Sequence, residues 1–215
     1  MDVVDPRLVA ALTRQLEARG RALADGARRV GWKLGVGDAE RIGAGPVVGH
    51  LTSATQLEPG GIFRAGDVAA LHADVEIAVE LAADLGPGDD VRGAIGGYAA
   101  ALELVDLESI DRDPEAIVAA NVFHCAFVLG ATVPPIVLDR VVGRLVVDGE
   151  TRDEAPAEDV DDRLAAAARI VAAGGDGLLA GDRIITGSIV QVPVAPGSRV
   201  VADLGPLGSV GLEIG

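Results

Sequence analysis

In PRLVAALTRQLEARGRALADG, Leu8, Leu12, Leu16 and Leu23 recur at near-helical spacing, and Pro6 stands where a first helical turn tolerates a residue without an N–H. One amphipathic helix is expected there. From Val30 the pattern changes to short apolar or alternating runs bounded by Gly, Pro or Asp: RVGWKLGVG, GPVVGHLT, GGIFRAG and VAALHADVEIAVELAADL, which predict strands. AAALELVD and NVFHCAFVLG predict two more, and GRLVVDGETRD predicts a hairpin turning at Asp148-Gly149. Helices are expected over DDVRGAIGGY, DPEAIVAAN and DVDDRLAAAARIVAAG, the last with Asp159 to Asp162 favouring its N-terminus. The closing segment, from LLAGDRIITGSIV to GLEIG, is punctuated by AGD, APG and GPLG and predicts consecutive antiparallel strands. Strands outnumber helices without alternating with them, so a mixed or antiparallel β fold with helices outside is expected rather than a doubly wound parallel sheet.

A chain of 215 residues suits one hydrophobic core, since single cores stop growing only beyond roughly 250–300 residues. The expectation is one catalytic domain over 1–215, with an N-terminal helical segment (1–29) and a β-rich core (30–215). The net charge of -15 opposes binding to nucleic acid or an anionic membrane, and no basic stripe offsets it. Cys125 is the single cysteine and the acidic opening MDVVDPRLVA is unlike a signal peptide, so a cytoplasmic location is expected. Ala116 to Leu138 is uncharged and long enough to cross a bilayer, but Asn121, His124 and Pro134-Pro135 interrupt it, and NVFHCAFVLG reads as a buried strand.

Alternation in HADVEIAVE places Asp74, Glu76 and Glu80 on one strand face and Val75, Ile77 and Val79 on the other. Two carboxylates so close raise each other's pKa unless a cation or solvent compensates, so the pair is either a metal site or the wet face of an edge strand. Glu103 lies in the apolar run YAAALELVDL, where a buried carboxylate needs a partner: a cation, an arginine or a helix N-terminus. Among eighteen basic residues the one lysine, Lys33, sits in VGWKLGVG, either as a desolvated base or as a strand-end residue reaching water. His50, His72 and His124 make no zinc motif, and His124 and Cys125 would face opposite sides of a regular strand. Neither G-x-S-x-G nor G-x-G-x-x-G is present.

Taken in order, GWKLG, DVEIAVELAADL, AAALELVDLESI, AFVLG and AGDRIITGSIVQVPVAPGSRVVADLGPLGSVGLEI resemble the 2-keto-4-pentenoate hydratase and 4-oxalocrotonate decarboxylase group of the fumarylacetoacetate hydrolase superfamily. The resemblance implies an α+β fold, a mixed β-sandwich or β-roll with peripheral helices, in a homo-oligomer. It implies Mg²⁺ or Mn²⁺ held by Asp74, Glu76 and Glu103, an active-site Lys33, and a substrate-facing turn of Thr186, Gly187 and Ser188. Asp74 replaces the family's glutamate and shortens that arm by one methylene. Where hydratase-like relatives show D-N-A-S-S, this chain has Ala120-Asn121-Val122-Phe123-His124, placing His124 near the expected pocket, and Ser53 stands where an aspartate is expected. The segment before the first helix is missing and the loop between Gly37 and Gly49 is short.

The chemistry so implied is that of a metal-dependent lyase, hydratase-like or decarboxylase-like, acting on a small 2-oxo acid through its enolate, with Lys33 moving a proton or stabilising the oxyanion and His124 as the catalytic group that would activate water in a hydratase. C–C hydrolysis and a non-catalytic partner or binding protein stay open as alternatives.

Overall fold

The computed structural model describes residues 4–36, 46–66, 68–108 and 113–215. Most of the loop after Gly37, and the end of the LVDLESI stretch, lie outside them. Helix α1 (Pro6–Ala24) begins as its sequence predicts, with the Asp5 carboxylate accepting from the Arg7 N–H and proline in the first turn. The chain then forms β1 (Arg29–Gly35), β2 (Val47–Thr52), two short strands β3 (Gln56–Leu57) and β4 (Ile62–Phe63), and the long strand β5 (Leu71–Leu81). A four-residue helix α2 (Val91–Ala94) leads into β6 (Ile95–Asp106), followed by α3 (Pro114–Ala119), β7 (His124–Leu129), β8 (Val142–Val147) and β9 (Glu150–Pro156). Helix α4 (Val160–Ala173) precedes β10 (Arg183–Ile185), β11 (Val190–Pro193), β12 (Arg199–Asp203) and β13 (Ser209–Ile214). Asp148 and Gly149 both take positive φ, 54° and 85°, as the predicted β8–β9 hairpin requires.

Two expectations need correction. DDVRGAIGGY is helical only to Ala94; from Ile95 the backbone pairs with β5 instead, because a long ladder with Leu81 to Leu71 outweighs a short helix rich in glycine. The C-terminal strands are not a run of consecutive antiparallel neighbours. β10 lies parallel to β1 and antiparallel to β5, β11 also pairs with β5, and only β12 and β13 pair with one another.

The eight-stranded sheet runs β2-β1-β10-β5-β6-β7-β3 with β11 continuing the edge of β5, and the five-stranded sheet runs β4-β13-β12-β8-β9. This is the α+β arrangement of mixed sheets with helices outside. The two sheets pack face to face, and Val75, Ile77 and Val79 of β5 point into the shared core with Leu145, Val200, Ala202 and Leu212. The opposite face of β5 and β6 carries a second, smaller apolar cluster of Leu51, Ala78, Ala99, Ala101, Phe127 and Ile185. Asp74, Glu76 and Glu103 share this face by strand alternation and by the register that pairs Asp74 with Glu103. Among the described residues no helix is long and apolar enough to cross a membrane. The uncharged run from Ala116 is divided among α3, a turn, β7 and a loop.

Candidate metal centre

Asp74, Glu76 and Glu103 are all buried, so the acidic face is not the wet side of an edge strand. Each offers one oxygen to a common point, these oxygens lying within 4.8 Å of one another. One oxygen of each carboxylate is already committed to a hydrogen-bond partner. Asp74 Oδ2 accepts from Gln191 Nε2 at 3.1 Å, and Glu76 Oε2 accepts from the Gly187 N–H at 2.6 Å. Glu103 Oε1 meets Lys33 Nζ at 2.7 Å and His124 Nδ1 at 2.6 Å. What remains is Asp74 Oδ1, Glu76 Oε1 and Glu103 Oε2, three buried oxygens without a hydrogen-bond donor. Buried carboxylate oxygens left bare are costly, and oxygen donors converging at this spacing are what a hard divalent cation takes. The residues fit Mg²⁺ or Mn²⁺.

The electrostatics agree with that geometry. Burial, then the charge of Glu103, pushes Asp74 up to about 7. The same two causes raise Glu76 well above the usual carboxylate range. Burial would raise Glu103 as well, but Lys33 and His124 outweigh it and hold its carboxyl below the ordinary value. At Glu103 the contacts with Lys33 and His124 thus outweigh burial, whereas at Asp74 and Glu76 burial and the neighbouring carboxylate dominate.

Lys33 on β1 and His124 on β7 are four strand steps apart, about 19 Å in a flat sheet at ~4.8 Å per step. Both nevertheless touch the same oxygen, so the sheet curls until its flanks meet across β5 and β6. The seam is the turn Asn121-Val122-Phe123, which the apolar pattern assigns to a strand. All three residues are left-handed, with φ of 64°, 55° and 61°, at a cost of roughly 1–2 kcal/mol each for side chains other than glycine. Asn121 secures the turn against β2, its Oδ1 accepting from His50 N at 2.7 Å and its Nδ2 donating to His50 O at 3.1 Å. The turn aims the Val122 carbonyl at Lys33 Nζ, 2.9 Å away. Such strain in a turn bordering buried charges is characteristic of functional sites. Gly49 belongs to the same seam, since a Cβ there would lie 2.7 Å from Lys33 Cγ and 2.8 Å from Asn121 Oδ1.

His124 is fixed at both ring nitrogens, its Nε2 lying 2.9 Å from Thr55 Oγ1. A bulge between Leu104 and Val105 sets His124 opposite Val105 and Ala126 opposite Leu104. Cys125, between them, has its Sγ 3.8 Å from the Phe123 carbonyl. Thr186, Gly187 and Ser188 interrupt the edge of β5 between β10 and β11. Thr186 donates twice to Ile77 O, while Gly187, at φ +95°, turns its N–H to Glu76. The Ser188 hydroxyl is buried beside them without a partner. Asp74, Glu76, Glu103, Lys33 and His124 thus meet in one cluster, which Gly187 reaches through Glu76, whereas Glu80 turns to Arg183 and Thr132. Sequence reasoning missed Thr55, Gln191 and the Val122 carbonyl. Gln191 is predictable only once β11 is known to pair Gln191 with Asp74; Thr55 carries no local signal.

No protein-family model matches the chain, and no curated protein does. Solved structures do. 4-Oxalocrotonate decarboxylase from Pseudomonas putida G7, complexed with magnesium and adipate, is 27% identical, with 96% of this chain and 86% of that chain covered at a TM-score of 0.87. The same protein complexed with calcium and acetate matches at a TM-score of 0.86 and 27% identity over 96% of this chain and 85% of that one. Fumarylpyruvate hydrolase from Pseudomonas aeruginosa, in complex with Mn²⁺ and pyruvate, shares the fold at a TM-score of 0.67 and 17% identity, covering 87% of this chain and 89% of that one. Along nearly its whole length this chain is thus similar to 4-oxalocrotonate decarboxylase, and it shares its fold with fumarylpyruvate hydrolase.

Proposed function

We propose that this chain is a divalent-metal-dependent lyase that decarboxylates a small 2-oxo acid through its enolate, with Asp74, Glu76 and Glu103 as the metal ligands. The observation that carries this reading is the trio of buried, donorless oxygens, one from each carboxylate. The decarboxylase it resembles, complexed with magnesium, supports the choice of Mg²⁺ or Mn²⁺.

When bound, the ion supplies Lewis acidity, drawing electron density from the carboxylate and 2-oxo oxygens of a chelated 2-oxo acid. The protein's residues do the rest. Gln191 and the Gly187 N–H orient Asp74 and Glu76, and Lys33 with His124 orient Glu103. As a carboxyl group on C3 leaves as carbon dioxide, the pair of the broken C–C bond forms the C2–C3 double bond and the pair of the 2-oxo C=O moves onto its oxygen. To Lys33 Nζ, buried and paired with Glu103, we assign stabilisation of that oxyanion and delivery of the proton to the neighbouring carbon. We place the substrate against the Thr186-Gly187-Ser188 turn, where the Ser188 hydroxyl, buried without a partner, is left to donate to it.

Hydration, the other reaction of the group, requires a base that activates water. His124 is the one candidate in this segment, and both its ring nitrogens are engaged, with Glu103 and Thr55. That favours a role in holding Glu103 over one in activating water, and decarboxylation over hydration. The test incubates the Mn²⁺-loaded protein with oxaloacetate and, separately, with 2-hydroxypenta-2,4-dienoate. Metal-dependent release of carbon dioxide from the first, with no hydration of the second, is expected. Hydration without decarboxylation would reverse the assignment.

A further inference from the structure

In this acidic chain, arginines withdrawn from solvent find carboxylates. Arg19 pairs with Asp176, Arg29 with Asp176 and Asp182, Arg144 with Glu154, and Arg183 with Glu80. Among the described residues, Arg163 of α4 is the one half-buried arginine with no carboxylate in ion-pair reach. Its Nη1 donates instead to the carbonyl of Thr186, at 3.2 Å. That carbonyl belongs to the peptide unit whose N–H, on Gly187, donates to Glu76 Oε2 at 2.6 Å.

We infer that Arg163 is a positioning residue for Glu76, acting through the Thr186–Gly187 peptide. Among the described residues no peptide bond is cis, so the C=O and N–H of this unit point in opposite directions, and guanidinium, peptide and carboxylate form a chain. A positive charge at the carbonyl end polarises the unit in the direction of its own dipole and strengthens the hydrogen bond at the other end. The Gly187–Glu76 contact, at 2.6 Å, is short for an N–H···O bond.

The peptide is held rigidly enough to transmit the effect. Thr186 N and Oγ1 both donate to Ile77 O, at 3.0 and 3.1 Å. At Gly187, φ is +95°, and a Cβ would lie 2.5 Å from Val36 Cγ2, so the turn admits only glycine. Binding Oε2 at this point leaves Oε1 without a donor, in a carboxylate that clusters with Asp74 and Glu103. Arg163 thus orients a metal ligand without touching metal or substrate. The inference rests on the reading of the three carboxylates as a metal site.

Thr186–Gly187 is the only Thr–Gly step in the sequence, so labelling with carbonyl-¹³C threonine and ¹⁵N glycine isolates this one amide by NMR. In metal-free protein the Gly187 proton is expected far downfield, to move upfield in Arg163→Leu, and to return most of the way in Arg163→Lys. By calorimetry, Arg163→Leu should weaken Mn²⁺ binding about 10-fold, at the low end for residues behind the ligands, with partial rescue in Arg163→Lys. Wild-type Mn²⁺ affinity and an unmoved Gly187 amide in Arg163→Leu would overturn the role of Arg163 alone. A wild-type protein that binds no Mn²⁺ would overturn the metal reading and this inference with it.

Discussion

Lys33 Nζ and Glu103 Oε1 form a 2.7 Å ion pair between side chains that are 3% and 1% exposed, linking β1 to β6 across the curl of the large sheet. Removing one partner of such a pair strands the other charge, so Lys33→Met should destabilise the metal-free protein by about 3–5 kcal/mol. Lys33→Arg keeps the charge but gives up a removable proton and must fit a bulkier head beside Gly49. It should fold, and turnover should fall by about 10²- to 10⁴-fold. Urea melts and steady-state rates measure the two effects; near wild-type turnover in Lys33→Arg would leave Lys33 an electrostatic role only.

The pH dependence follows from the uncompensated carboxylates. Asp74, raised by burial and by Glu103 to about 7, binds its proton more tightly in the folded protein than in the unfolded chain. Its contribution to stability is therefore complete below its unfolded value near 4, and is lost as pH rises through about 7. Metal-free protein should melt at a lower temperature at pH 8 than at pH 5, and Asp74→Asn should flatten the difference. Glu103 is shifted the other way, and its contribution is lost only as pH falls below the ordinary carboxylate range.

Metal binding should show the complementary trend, because Asp74 and Glu76 must lose their protons to act as ligands. Mn²⁺ affinity should rise between pH 6 and pH 8, with proton release visible in calorimetry as a dependence of the heat on the buffer's ionisation enthalpy. Affinity independent of pH, with no proton release, would show that both carboxylates are already charged in the free protein.

Gly49→Ala tests the seam without replacing a charged residue. The added methyl meets Lys33 Cγ and Asn121 Oδ1 closer than 3 Å, so the lysine must shift from Glu103 and the Val122 carbonyl. Activity should drop sharply while the protein stays folded, with an overpacking cost of about 1–3 kcal/mol. Asn121→Ala should act on the same seam from the other side. It unclamps His50 and frees the left-handed turn, and lowers stability by about 1–3 kcal/mol together with turnover. Unchanged turnover in both variants would detach the turn from catalysis.

The residues at the centre were legible in the sequence because each breaks its local pattern: carboxylates in apolar strands, one lysine among arginines, a histidine in an apolar run. Alternation in HADVEIAVE gave the shared face of Asp74 and Glu76. It could not say whether that face was wet, since burial depends on how far the sheet curls, which is a property of distant strands. The left-handed turn at Asn121 was hidden for a related reason. Val and Phe favour strands locally, and only the clamp to His50 on β2 and the buried neighbours impose the other conformation. DDVRGAIGGY failed likewise, since the partner that draws Ile95 onward into a strand is β5. Arg163 stands in a helix whose sequence is unremarkable, and its contact with the Thr186–Gly187 peptide is a matter of tertiary position alone.

The most direct test is a crystal of the wild-type protein soaked in Mn²⁺ and read by anomalous scattering. One peak per chain is expected, with Asp74 Oδ1, Glu76 Oε1 and Glu103 Oε2 at about 2.1–2.2 Å, close to the distance such small divalent ions adopt. No peak at saturating metal, or a peak bounded by other residues, would contradict the assignment of the three carboxylates as a metal site.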